Sequence, residues 1–329
     1  MSDSDFKKIP DTSGPLGNLA DQIRRSMAEA LSAEQQRLDK EAAEEEQAKS
    51  AQDQRPRVAI AEALRNNWFE IWYQPKIDLK RKCLAGAEAL ARIRHPEHGV
   101  LLPGGFLADV DEESIGELAK HAFVTATRDW SVFEDAGFNL KLSINVPVSV
   151  LFKLPMTELM NEHRPKSERW PGLIVEVTED QIVRDMAMAQ EVAKRLLASD
   201  IRIAIDDFGA GYSSLSSLRE LPFAELKIDH SFVTRCSLDA TNAAICQTVI
   251  DLAHRFGSDA VAEGVETQTD LQALMVMGCD FGQGVLMSPP MPKARLLELL
   301  QQRMTKPSQR GASPQEAMQS GGKPIGRVA

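Results

Sequence analysis

The stretch Ile201-Arg-Ile-Ala-Ile-Asp-Asp-Phe-Gly-Ala-Gly-Tyr-Ser-Ser214 decides the fold. Its apolar opening reads as a buried strand, and two carboxylates followed by a glycine-rich break end it. Neighbours in a strand face opposite ways, so Asp206 and Asp207 both reach one place only where the strand is ending. The segment is therefore expected to deliver acid groups at its carboxyl end, with Phe208 to Ser214 supplying the break.

Outward from this strand, short β-rich runs alternate with amphipathic helices, the pattern of βα units around a parallel sheet. Strands are predicted at Glu70 to Lys76, Cys83 to Ala91, Leu140 to Asn145, Leu173 to Val177, Ile201 to Asp206, Phe223 to Ile228, Ala260 to Glu263 and, briefly, near Phe281 to Val285. Eight strands are enough to close a barrel. Only a few residues around Leu79 to Lys82 join the first two, whereas a parallel pair needs a crossover of roughly a dozen residues or more. The first strand is thus predicted to run antiparallel, giving a TIM-type (β/α)8 barrel with an altered beginning. Ile182, Met186, Ala189, Ala193 and Leu196 form one apolar helix face, with Thr178-Glu-Asp-Gln181 as its expected capping box. Residues 1–55 form an acidic leader, helical or partly disordered. Leu16, Leu19, Ile23, Met27 and Leu31 recur there at helical spacing, as a dimerising or signalling helix that pairs with a regulatory partner would. The barrel is assigned to residues 56–303, and the Gly-, Pro-, Ser- and Gln-rich tail at 304–329 is expected to be disordered.

The strand ends are unusually polar. Glu88 interrupts Leu84-Ala-Gly-Ala-Glu-Ala-Leu90, and Asn145, Glu176, Asp206 with Asp207, Lys227 with Asp229, Glu263 and Gln283 close later runs. In such barrels the active site is built from these ends. Any one acidic residue there is usually the solvated start of a loop, but seven strands delivering polar groups to one rim are not explained that way. Carboxylates crowded together raise one another's pKa unless cations intervene. Oxygen-only donors, without His or Cys, favour Mg²⁺ or Mn²⁺. A carboxylate bridging two such ions roughly 3.5 to 4 Å apart would hold a water for in-line attack on phosphorus. Lys227 could orient that water or offset phosphate charge. Arg92 shares strand parity with Glu88 and could contact a phosphate, its plain alternative being a surface arginine.

Composition narrows the classes. Of 329 residues, 38 are basic and 48 acidic, a net charge of −10 that argues against gripping a DNA or RNA duplex through its backbone. Aromatic residues, at 5%, leave little for extended base-stacking surfaces. Cys83, Cys236, Cys246 and Cys279 show no zinc-site spacing and read as reduced structural thiols. No apolar run reaches the roughly 18 residues a membrane span requires, and Met1 to Pro10 lacks the core of a signal peptide. A cytoplasmic protein without membrane insertion is expected.

Tyr73-Gln-Pro75, Glu88-Ala-Leu90, Glu176-Val-Thr-Glu179, Asp206-Asp-Phe-Gly-Ala-Gly-Tyr-Ser-Ser-Leu215, Lys227-Ile-Asp229, Glu263-Gly-Val-Glu266 and Gln283-Gly284 recur in the order and at the spacing of a known family. From about residue 57 to 303 the chain resembles an EAL-domain cyclic di-GMP phosphodiesterase. The resemblance implies hydrolysis of cyclic di-GMP to linear pGpG with two Mg²⁺ or Mn²⁺ ions, in a homodimer. It implies Glu88, Asn145, Glu176 and Asp206 as ligands of one ion, and Asp206, Asp207 and Glu263 around the other. Lys227, Glu263, Asp207 and Gln283 would serve catalysis, Gln74, Arg92 and Asp229 the substrate, and Glu179 the coupling of the Phe208–Ser214 loop to dimerisation. Pro147, Ile93 and Val285 stand where the family often has Ser, Trp and an aromatic residue, and none of them removes a proposed ligand. A non-catalytic cyclic di-GMP receptor or scaffold of the same fold is the alternative; it would be free to lose Glu88, Asp207 or Lys227, and all three are present.

Overall fold

The computed structural model describes residues 57–108, 110–209 and 219–305, with backbone only at 303–305. The leader at 1–55, most of the Phe208–Ser214 loop and the tail beyond 305 lie outside the described residues.

The described strands are β1 (Phe69–Asp78), β2 (Cys83–His95), β3 (Gly99–Leu101), β4 (Lys141–Asn145), β5 (Leu173–Thr178), β6 (Ile201–Phe208), β7 (Glu225–Ile228), β8 (Asp259–Ala262), β9 (Phe281–Gly282) and β10 (Met291–Pro292). Eight of them close a TIM-type barrel in the order β1-β2-β4-β5-β6-β7-β8-β9, with β9 returning to β1. β1 is antiparallel to its barrel neighbours β2 and β9, while β2, β4, β5, β6, β7, β8 and β9 pair in parallel in that order. The tight turn after Asp78 dictates this, since so short a link can only reverse the chain. β3 and β10 are edge additions on β2 and β1.

The core lies between strands and helices. The helix Glu112–Asp135, capped by the Asp111 side chain on the Ser114 amide, buries Phe123, Ala126, Trp130 and Phe133 against the sheet. Behind β1, the Tyr73 hydroxyl donates to Asp129 at 2.9 Å, and Lys293 of the last helix donates to the same carboxylate at 2.7 Å. Tyr73 is fully buried on the outer, helix-facing side of the strand, and burial beside Asp129 holds its phenol well above the usual tyrosine range.

Three local expectations are corrected. Strand β6 does not stop at Asp206 but runs to Phe208 through a bulge: Ile205 pairs with Leu226 and Phe208 with Ile228. Asp207 takes a left-handed φ of 54° there, the extra residue that lets adjacent carboxylates serve one rim. The Thr178–Gln181 capping box does not form. Thr178 caps without a side-chain bond, Gln181 instead accepts from the Val148 amide at 3.3 Å, and the helix is broken at Asp185, whose carboxylate starts Met186–Leu197. Ile182, Ala189, Ala193 and Leu196 are nevertheless buried together. Finally, the helix Lys293–Thr305 takes in Met304 and Thr305, so the tail does not begin at 304.

Inside the lower barrel, Lys76 of β1 donates to both oxygens of Glu225 on β7, at 2.7 and 2.6 Å, and both residues are buried. Removing one member leaves a buried charge without its partner, at a cost of about 3–5 kcal/mol. Lys76→Met should therefore lower the urea unfolding midpoint strongly, and Lys76→Met with Glu225→Leu should recover much of the loss. Equal destabilisation by single and double variants would refute the pairing.

Candidate active site

The carboxyl ends of β2 and β4 through β9 meet at one mouth. Lys227 stands at its centre because β7 turns both Glu225 and Lys227 inward, one layer apart, as strand alternation requires. The Lys227 ammonium lies 2.5 Å from Glu176, 2.5 Å from Glu263, 3.0 Å from Asp206 and 4.0 Å from Glu88, and is 1% exposed. Burial alone would favour a neutral amine. Glu176, Glu88, Glu263 and Asp206 outweigh it and hold the lysine charged, well above its ordinary value.

One ammonium does not neutralise four carboxyls. Burial, reinforced by Glu88, pushes Glu176 well above the carboxylate range against the pull of Lys227. Burial also pushes Glu263 to about 7, with Lys227 opposing and Asp206 and Glu88 assisting. Asp207 is raised by burial and then by Asp206 and Asp229. Glu88 goes the other way: burial is outweighed by Lys227 and by hydrogen bonds from Gln283, Asn145 and Glu176.

The supporting polar groups have definite partners. Asn145 donates to Glu88 Oε1 at 2.6 Å. Gln283, just beyond β9, donates to Glu88 Oε2 at 2.5 Å and to Gln74 Oε1 at 3.0 Å. Gln74 lies on β1 directly opposite Glu88. Gly284 makes the Gln283 turn possible, since a Cβ there would stand 2.2 Å from the Val265 carbonyl oxygen, in the segment that follows Glu263. Glu179, buried at the start of its helix, accepts from the Gly209 amide at 2.9 Å and so holds the chain leaving Asp207. Asp229 accepts from the Ser231 amide at 2.9 Å, capping the next short helix, and lies beside Asp207. Arg92 is buried on the Glu88 face of β2, two alternations further along, rather than spread on the surface.

Asp206, Asp207 and Glu263 each offer an oxygen within 4.8 Å of the others. Hard oxygen donors so spaced, in a cluster where four carboxyls share one ammonium, fit divalent cations of the Mg²⁺ or Mn²⁺ type. Two further side chains on this face escaped the strand-end reading. Trp72 and Glu70 sit on the amino half of β1, which reaches the same rim only because that strand runs backwards; the short Leu79–Lys82 turn was the available signal.

The chain belongs to the EAL domain family, which it matches over residues 57–290. It is 35% identical over 250 residues to the cyclic di-GMP phosphodiesterase RocR of Pseudomonas aeruginosa, covering 74% of this chain and 63% of RocR. It spans only 30–35% of longer relatives. The solved MucR phosphodiesterase–cyclic di-GMP complex, from the same organism, superposes with a TM-score of 0.66 at 32% identity, covering 72% of this chain and 97% of that one. The manganese/cyclic di-GMP complex of BlrP1 from Klebsiella pneumoniae gives 0.58 at 27% identity, over 69% of this chain and 56% of that one. Among the described residues, no helix is long and apolar enough to cross a membrane.

The raised Glu263 gives a pH signature in chelator-treated protein. A carboxyl at about 7 when folded and near 4.5 when unfolded takes up a proton on folding between those values. Its stabilising contribution is complete below about pH 4.5 and is lost as pH rises towards 7. Glu263→Gln removes this dependence, so across that window the variant should lose less stability than wild type, by up to about 1.4 kcal/mol per pH unit. Urea unfolding at steps between about pH 5 and 7 measures the difference, and parallel slopes would contradict it.

Proposed function

We propose that this chain is a metal-dependent phosphodiesterase that hydrolyses one phosphodiester bond of cyclic di-GMP to linear pGpG, acting as a cytoplasmic homodimer, with the barrel at 56–303 as the working unit. The observation that carries this reading is the convergence of Glu88, Asn145, Glu176, Asp206, Glu263 and Gln283 around Lys227 in a chain of the EAL family. The names of RocR and of the solved MucR complex supply the substrate class.

In this reading Glu88, Asn145, Glu176 and Asp206 hold one Mg²⁺ or Mn²⁺ ion, and Asp206, Asp207 and Glu263 hold a second. When bound, such ions make water nucleophilic at neutral pH and offset charge on the phosphate. The chain's own groups do the rest. Lys227 donates to the attacking water and orients it towards phosphorus. Gln283 and Asn145 fix both oxygens of Glu88, and Gln74 braces Gln283. Arg92 donates to the substrate, with Gln74 lining the same side and Asp229, which follows β7, facing them from across the barrel. Glu179, through the Gly209 amide, ties the segment after Asp207 to β5 and so couples the loop to the dimer contact. The water oxygen bonds to phosphorus and the P–O3′ bond breaks. The 3′-oxygen takes a proton, leaving a 5′-phosphate on the linear dinucleotide.

Purified full-length protein incubated with cyclic di-GMP and Mg²⁺ or Mn²⁺ should yield pGpG, and chelation should stop it. Asp206→Ala should abolish turnover with its melting temperature little changed, because the carboxylate serves ions rather than packing. Lys227→Ala should lower turnover by about 10²–10⁴-fold with divalent-ion binding retained. Tight binding of cyclic di-GMP without product would overturn the enzyme and establish a receptor, and near-normal rates in Asp206→Ala would refute the ligand assignment.

A further inference from the structure

On β1 the amino half passes beyond the barrel mouth. Gln74 stands opposite Glu88, Trp72 opposite Leu90, and Glu70 opposite Arg92. These side chains share one face by strand alternation, while Phe69, Ile71 and Tyr73 are buried on the other. Trp72 is therefore not a core residue. It is half-buried, one step out from the Glu88–Gln74 level.

Its ring is held rather than loose. The indole Nε1 donates to Glu70 Oε2 at 3.0 Å, and Arg94 clamps both oxygens of Glu70 at 2.5 and 2.9 Å. The Arg92 guanidinium lies 5.8 Å from the indole centroid. Arg92 is 7% exposed; its Nη1 donates to the Ala91 carbonyl at 2.8 Å, and its buried Nε has no acceptor among the described residues. A buried cationic donor without an acceptor is costly, and an acceptor brought by a ligand relieves it. A fixed aromatic face beside an unsatisfied arginine, next to the carboxylate mouth, matches a planar base joined to a phosphate.

We propose that Trp72 is a specificity-determining residue of this site: one purine base of the substrate packs on its indole while Arg92 donates to an acceptor of the same nucleotide. The inference rests on the phosphodiesterase reading and adds to it the element that selects the base. A purine fits better than a pyrimidine because its stacking face is larger and because guanine N7 and O6 are acceptors matched to a guanidinium.

The test uses the full chain with Ca²⁺, titrated with cyclic di-GMP and, separately, cyclic di-UMP, following both affinity and indole fluorescence. Wild type should prefer the guanine ligand, and its emission should be quenched on binding; Trp130 and Trp170 are buried and away from this face, and Trp68, packed edge-on against His95, stays in every Trp72 variant and so reports any quench that is not Trp72's. Trp72→Leu should weaken cyclic di-GMP about tenfold, narrow the guanine preference and lose the quench, and Trp72→Phe should retain affinity within about threefold. Trp72→Leu binding within twofold of wild type, or a wild-type titration without quenching, would overturn the proposal. Should Trp72→Leu fail to fold, Trp72→Phe decides: it should keep affinity and lose the quench, and a quench that survives in it would overturn the proposal. Turnover with Mn²⁺ is measured in parallel. Trp72-dependent binding without pGpG would defeat the phosphodiesterase reading alone, pGpG with Trp72-independent binding would defeat this inference alone, and no binding at all would defeat both.

Discussion

A lysine ammonium enclosed by four carboxyl groups inside a barrel governs this molecule. The β7 segment Glu225-Leu-Lys227 turns two opposite charges inward, one layer apart. In the lower layer Glu225 meets Lys76, one charge against one, with both carboxylate oxygens used. That layer is complete and needs nothing further. In the upper layer a single positive charge faces Glu88, Glu176, Asp206 and Glu263, and the excess appears as raised affinity for protons at Glu176 and Glu263. Protons are a weak substitute for multivalent cations in such a nest of oxygens, so the same fold is structural at one end and receptive to divalent ions at the other.

The reversed first strand makes the mouth asymmetric. Had β1 run parallel to its neighbours, its carboxyl end, Ile77-Asp78, would stand at the rim. Its reversal brings the amino half there instead and lines Gln74, Trp72 and Glu70 against Glu88, Leu90 and Arg92. The Tyr73-Gln74 pair then divides its duties: Tyr73 points outward to Asp129 and fixes the strand on its helix, while Gln74 points inward to Gln283 and steadies Glu88. Support of this kind holds an anionic side chain in one rotamer before any ligand arrives.

Much of this was legible in the chain because it is written in local pattern. A glutamate inside Leu84–Leu90, or paired aspartates after Ile201–Ile205, stands out against apolar strands, and the four-residue turn before Cys83 announces the reversal. What escaped depends on contacts distant in sequence. Lys76 meets Glu225 across 149 positions, and no pattern in either strand names its partner. The left-handed Asp207 arises from how β6 registers against β7, since Ile205 and Phe208 must both find partners there. The capping box failed because Gln181 was recruited by the Val148 amide of a neighbouring connection, a competition invisible within Thr178–Gln181. Trp72 was passed over because a search at carboxyl ends examines the wrong half of an antiparallel strand.

Under the proposed function, the charge balance also constrains how the substrate would enter. The chain carries a net charge of −10, and the mouth itself is dominated by carboxyls, so a cyclic dinucleotide with two phosphates would meet repulsion. Lys227 is enclosed by its four acidic neighbours, which among the described residues leaves Arg92 as the cation with an unsatisfied donor on the Glu88 face. One arginine beside a tryptophan provides orientation for a nucleotide but not the countercharge for a phosphodiester placed among Glu176, Asp206 and Glu263. That countercharge has to accompany the ligand. Ion affinity and substrate affinity would then be coupled, each raising the other by the same factor, as linkage demands of two ligands that share one pocket. On the proposed reading the site would be selective in two separable ways, by charge at the depth of Lys227 and by shape and hydrogen bonding at the level of Trp72, and the antiparallel β1 is the element that joins the two.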